Sequence, residues 1–245
     1  SSTGGIDIEL DSLDPEPADL ENAIGGSGTA GNLISGNDGA GIKIETAAAT
    51  GNLIQGNHIG VNVSGFGAIG NVGGGIALEN GPAGNTIGGL SSAGTGNLIS
   101  GNGNTGIALF GATVTGNIVI GNRIGTDSLG TTSLPNAGEG IHIASGSGNV
   151  IGGTAAGTGN LISGNTHSGV AISAPTATNN TVLNNLIGTN NSGMSAIGNG
   201  ANGVVITDAG ANTIGVANGG NVISGNGQNG IAIFGVASIG NQIYA

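Results

Sequence analysis

A seven-residue phrase, Gly31-Asn-Leu-Ile-Ser-Gly-Asn37, returns at 96–102 and 159–165, and again with Val for Leu at 220–226. Counted from its first asparagine, the spacings are 65, 63 and 61 residues. Repetition at such a period restricts a chain to arrays in which each unit stacks on the next. A shorter phrase repeats inside it: a glycine followed by two aliphatics one residue apart. It occurs at Ile6/Ile8, Ile42/Ile44, Ile76/Leu78, Ile107/Leu109, Ile141/Ile143, Val170/Ile172, Val204/Ile206 and Ile231/Ile233. The eight copies span 225 residues, a mean step of about 32, so each long repeat holds two coils. Alternation of period two fits strands and excludes the 3.6-residue face of a helix.

Composition decides what kind of array this is. Of 245 residues, 56 are glycine, which disfavours helix interiors. With 5 prolines and no three-residue glycine period the chain is not collagen. With 37 % hydrophobic residues it is not a disordered segment either. A third phrase, Asn-Thr/Val-Ile-Gly at Asn85, Asn149 and Asn212, has the counterparts Asn52-Leu-Ile, Asn117-Ile-Val and Asn180-Thr-Val. Each coil therefore offers about three short strands between Gly/Asn turns. A strand with one apolar face buries it only by stacking, Ile on Ile and Asn on Asn. The predicted fold is all-β: a single-stranded right-handed parallel β-helix of about eight coils, forming one domain over 1–245. Right-handedness follows from the hand of parallel crossovers. Corner asparagines and glycines are expected to supply left-handed turns, and stacked asparagines to pair their amides along the axis.

The combination Asn-x-Ile-Gly-Gly, Gly-Asn-Leu-Ile-Ser-Gly-Asn and Gly-Ile-x-Ile over residues 24–245 resembles the parallel β-helix repeats of large bacterial extracellular and cell-surface proteins. The broader fold is that of pectate lyases. The resemblance implies a β-solenoid located outside the cell or on its surface. It implies no particular activity.

Charge limits the partners. Two cations, Lys43 and Arg123, stand against 13 acids, a net charge of −11. Nucleic acid is excluded as a partner, since phosphate binding needs clustered Lys/Arg. Without cysteine there are neither disulfides nor thiolate metal sites, and no apolar run is long enough to insert into a membrane. Seven acids fall in a segment, 7–23, that reads as an irregular insertion: Asp7, Glu9, Asp11, Asp14, Glu16, Asp19 and Glu21. It reads as a solvated shield over one end of the solenoid, or as a Ca²⁺ site built from clustered carboxylates. No other cofactor is expected.

Longer insertions at 60–71, 125–137 and 188–199 occupy matching places and should stack as a ridge. Asn62, Asn179 and Asn190 begin glycosylation sequons. Glu45 and Glu79 follow equivalent strands, so they should stack one coil apart and raise each other's pKa; with Lys43 they form the best candidate for an acidic cleft. His142 alternates with core residues and should point outward, while His58 and His167 read as turn residues. Phe110 and Phe234 read as core or corner filling. Neither the catalytic residues of a lyase nor the spaced carboxylate pair of a glycosidase is recognisable, so the chain reads as non-catalytic.

The two ends suggest self-association. Gly240-Asn-Gln-Ile-Tyr-Ala followed by Ser1-Ser-Thr-Gly-Gly-Ile-Asp-Ile matches Gly220–Ile233 without a gap. Stacking head to tail would build a structural homopolymer through Ile6 and Ile8 of one copy and Gln242, Ile243 and Tyr244 of the next. Excision from a longer solenoid would give the same match, and a capped monomer or passive spacer stays open. The alternative of another class is a carbohydrate-binding or polysaccharide-degrading β-helix.

Overall fold

A computed structural model describes residues 6–9, 22–28, 31–217 and 219–244, with only the backbone of 7–9. Its strands form three parallel sheets. The first holds eight four-residue strands: Ile6–Glu9, Ile42–Glu45, Ile76–Glu79, Ile107–Phe110, Ile141–Ala144, Val170–Ser173, Val204–Thr207 and Ile231–Phe234. The second also has eight strands, from Ala23–Gly25 to Gln242–Ile243. The third has seven, from Leu33–Ile34 to Val222–Ile223. Among the described residues this makes seven complete coils and two strands of an eighth, where the repeat count gives about eight. One 3-10 turn, Ser91–Ala93, is the only helical element among them.

Sequence alternation converts directly into register. Ile42 pairs with Ile76, Ile76 with Ile107, Ile107 with Ile141, and so on to Ile231. The intervening residues point outward. All three sheets send aliphatics to one axial core, in which Ile44, Ile54, Ile59, Leu78, Ile87 and Ile143 are fully buried. Burying such a side chain contributes roughly 1.5–3 kcal/mol, repeated in every coil.

Three continuous asparagine ladders hold the corners. One runs Asn22, Asn52, Asn85, Asn117, Asn149, Asn180, Asn212. The second runs Asn32, Asn57, Asn97, Asn122, Asn160, Asn185, Asn221. The third runs Asn37, Asn71, Asn102, Asn136, Asn165, Asn199, Asn226. At each step an Nδ2 donates to the Oδ1 of the next coil over 2.7–3.1 Å. Interior members also donate Nδ2 to a backbone carbonyl of the preceding coil, as Asn57 does to Ile24 and Asn149 to Val114. A buried amide satisfied on all sides is stabilising; one left short is costly. The expected left-handed asparagines are few: among the described residues only Asn80, Asn179 and Asn184 have positive φ. Glycines make most of the turns. Gly88, with φ +97°, shows why, since a Cβ there would lie 1.9 Å from the carbonyl oxygen of Ile120.

The two-coil repeat is an alternation of connection lengths. Coils with two-residue turns between the second and third sheets, 56–57, 121–122 and 184–185, carry the long return connections 60–75, 125–140 and 188–203. The other coils carry long connections at 89–97, 153–160 and 215–221 and short returns. The returns stack as the expected ridge: Ser128 N–H donates to the Gly65 carbonyl and Asn191 N–H to that of Gly130.

Two placements differ from the sequence reading. Residues 7–9 are strand, paired in parallel with Lys43–Glu45, and Ala23 begins another, so strands bound the acidic segment. Residues 10–21 and the side chains of Asp7, Ile8 and Glu9 lie outside the described residues, and the Ca²⁺ expectation lies there with them. Gln242–Ile243 pairs with Thr213–Ile214 in the second sheet, so it does not repeat the third-sheet strand Val222–Ile223. The gapless match of the ends to 220–233 is therefore not the register of the fold.

Candidate functional site on the outer face of the first sheet

Outward positions of the first sheet gather much of the chain's polar chemistry. Register places Glu45 beside Glu79, and Glu79 beside Phe110. Lys43 Nζ lies 2.5 Å from Glu45 Oε2 and 3.6 Å from Glu79 Oε2. Asn80, in a left-handed turn, donates Nδ2 to Glu45 Oε1 over 2.6 Å. Hydrogen bonds from Lys43 and Asn80 hold the Glu45 pKa below the usual carboxylate value. Stacking does bring the two carboxylates together, but the shared ammonium reverses the expected upward shift for Glu45.

One coil further along, Phe110 meets His142 edge to face, with ring centroids 5.3 Å apart. His142 Nε2 is 2.9 Å from Ser173 Oγ. The ring points outward as expected, yet it is far from fully solvated. Burial lowers its pKa, with the nearby Glu139 carboxylate working the other way. Phe110 and Phe234 are correspondingly not core residues; both stand on the outer face, 36 % and 54 % exposed. Between the large side chains, Ala77, Ala108, Ala171 and Ala232 form a low floor. Across five strands at about 4.8 Å each, the row from Glu45 to Ser173 is about 20 Å long.

The remaining singled-out residues are dispersed. His167 flanks the row, its Nδ1 3.5 Å from Glu139 Oε1. His58 is not a turn residue but begins the strand His58–Ile59, where partial burial lowers its pKa. The sequon residues Asn62 and Asn190 close the return loops: each Oδ1 accepts from a Ser hydroxyl and from two backbone N–H groups. Asp127 has the same place in the middle loop, accepting from Thr131 N–H and Oγ1. Burial works to raise its pKa, but hydrogen bonds from Thr131 and Thr132 outweigh that and lower it. Loop closure thus accounts for two of the three sequon asparagines without a glycan. The third, Asn179, sits in a left-handed turn. Among the described residues no group of three or more His, Cys, Asp or Glu could hold a metal. Among them, too, no helix is long and apolar enough to cross a membrane.

Solved structures of similar architecture include a point mutant of the periplasmic alginate epimerase AlgG. It aligns with a TM-score of 0.51 at 15 % identity, over 91 % of this chain and 45 % of that one. What the likeness shows is the fold alone, a parallel β-helix of three sheets. A second structure of the same epimerase gives a TM-score of 0.48 at 16 % identity, over 87 % of this chain and 44 % of that one. The β-helix thus spans less than half the length of either. No protein-family model matches the chain, and no curated protein matches it in sequence. Because a neighbour of this fold is an enzyme, the fold lends no support to a non-catalytic reading.

Proposed function

We propose that this β-helix is a carbohydrate-binding protein of the extracellular or periplasmic space that holds an extended polysaccharide along the outer face of its first sheet. The observation that carries the reading is the continuous row Glu45, Lys43, Glu79, Phe110, His142 and Ser173 on adjacent coils. Carboxylates, an ammonium and a hydroxyl offer hydrogen bonds to sugar hydroxyls, and a half-exposed aromatic edge offers apolar contact. That a periplasmic epimerase of alginate, itself a polysaccharide, shares the architecture supports both ligand class and location.

Binding is favoured over hydrolysis by the state of Glu45. A glycosidase needs one carboxyl kept protonated by a raised pKa. Glu45 is shifted the opposite way. The test is affinity electrophoresis and calorimetry with alginate and neutral glucans. Phe110→Ala and Glu79→Gln should each weaken binding about tenfold, the loss of roughly 1.4 kcal/mol of contact. Failure to retain any polysaccharide, or retention that neither substitution changes, refutes the proposal. Turnover of alginate with product release would replace binding by catalysis.

A further inference from the structure

The third sheet carries a cation that nothing in the fold uses. Arg123 points outward from the strand Arg123–Ile124, between Leu98 and Leu161 of the neighbouring coils. Its guanidinium makes no hydrogen bond or ion pair with any described residue, and its Nε is buried without a partner. An orphaned buried donor on a permanent charge demands a reason. Among the described residues the one other buried side-chain polar atom without a partner is the uncharged Thr46 Oγ1.

The surroundings supply that reason. Arg123 sits in a half-open surface cleft of about 250 Å³. Ser91 and Gly157 line it from the connections 89–97 and 153–160, and Asn191 lines it from the return ridge. The ridge closes over the neighbouring coils: a Cβ on Gly65 would lie 2.8 Å from Leu98 Cδ2, and one on Gly130 would lie 2.6 Å from Leu161 Cδ2. Leu98 and Leu161 are therefore covered, each 4 % exposed, and the opening between them falls at Arg123. No acid lines the cleft, although the chain carries a net charge of −11. Leu186 gives one apolar wall. Asn184 commits its Nδ2 to the Gly153 carbonyl, while Asn191 is exposed at the rim.

We infer that this cleft is an anion site which takes the carboxylate of a sugar acid, with the unpaired guanidinium of Arg123 as its partner. Pairing through the Nη groups places the carboxylate on a charge that no described residue neutralises. Asn184 and Asn191 then face ring hydroxyls, and Leu186 packs against the ring. This site is on a different sheet from the first-sheet row and does not depend on it.

Titration of the full chain with D-glucuronate, followed by calorimetry and by NMR of the Arg123 Nε–H, tests the assignment. D-glucose and sulfate serve as controls. Glucuronate should bind, glucose should not, and sulfate should bind more weakly. Arg123→Met should weaken glucuronate binding about 10- to 100-fold, the cost of a charge-assisted hydrogen bond. Arg123→Lys should retain part of it. Asn191→Trp, which blocks the mouth and leaves the charge in place, should also weaken binding, and it carries the test should the methionine variant misfold. Equal binding of glucose and glucuronate, or glucuronate affinity unchanged by both Arg123→Met and Asn191→Trp, overturns the inference. Sulfate binding as tightly as glucuronate overturns the sugar-acid assignment. None of these outcomes bears on the first-sheet row, whose own variants test it.

Discussion

Replacing Asn149 by alanine should destabilise the solenoid far more than an ordinary surface substitution. The side chain is fully buried in the middle of its ladder. Its Oδ1 accepts from both the N–H and the Nδ2 of Asn117, each at 3.0 Å. Its Nδ2 donates to Asn180 Oδ1 and to the Val114 carbonyl. Truncation leaves the Asn117 N–H and one of its two Nδ2 hydrogens without an acceptor, the other still donating to the Pro82 carbonyl, and each loss costs about 1–3 kcal/mol. Total destabilisation should reach about 4 kcal/mol, which lowers Tm by about 8–16 °C for a chain of this size. Thr176→Ala, at an exposed turn, should stay within about 0.5 kcal/mol. Thermal melts followed by circular dichroism, with amide exchange at Asn117, measure both effects. Exchange at the Asn117 amide should accelerate selectively, because repeats contact only their neighbours. A melt within about 2 °C of the parent would refute the ladder argument.

Other substitutions probe separate parts of the account. Ile143→Ala removes a fully buried core side chain and should cost about 2–5 kcal/mol in chemical denaturation. Gly152→Ala should fail to reach the parent's stability by more than about 1 kcal/mol, since its φ is +90° and a Cβ would lie 1.9 Å from the Leu183 carbonyl oxygen. The folded pKa of Asp127 is lowered, so its stabilisation is present above the unfolded value near 3.9 and is lost as pH falls through the folded value. Asp127→Asn should melt like the parent at pH 7, as Asn62 and Asn190 already close the sister loops, and should lose less stability between pH 4 and pH 2. His142 is also lowered, so its contribution is present above about pH 6.5 and is lost as pH falls toward its folded pKa. His142→Gln should flatten the slope of Tm against pH below 6.5.

Strand order, register and core were legible because the aliphatic pairs, Ile42/Ile44 through Ile231/Ile233, recur with little ambiguity. The amide ladders were legible for the same reason: stacking puts like on like. Corner identity was not. Gly51-Asn-Leu-Ile54 enters the second sheet and Gly96-Asn-Leu-Ile99 enters the third, although the four residues are identical. Only the length of the following connection separates them. That is why Gln242–Ile243 read as a third-sheet strand, and why His58, three residues after one strand ends, read as a turn. The face of Phe110 was open to misassignment because strand length, not hydrophobicity, decides it: the fourth position of each first-sheet strand points out. The Lys43, Glu45 and Glu79 cluster was visible in the sequence. The sign of the Glu45 shift is set first by the Lys43 hydrogen bond, to which Asn80 adds a second from its left-handed turn. The Arg123 cleft arises from loops that lie about 30 residues before and about 70 after the arginine, and no local pattern reveals it.

The most direct measurement is residue-resolved NMR of the full chain titrated with alginate and glucan oligosaccharides. The account predicts saturable shifts concentrated at Glu79, Phe110, His142 and Ser173, on consecutive coils of one face. Oligosaccharides that leave those four residues unmoved, or that shift only residues of the second sheet, would contradict it.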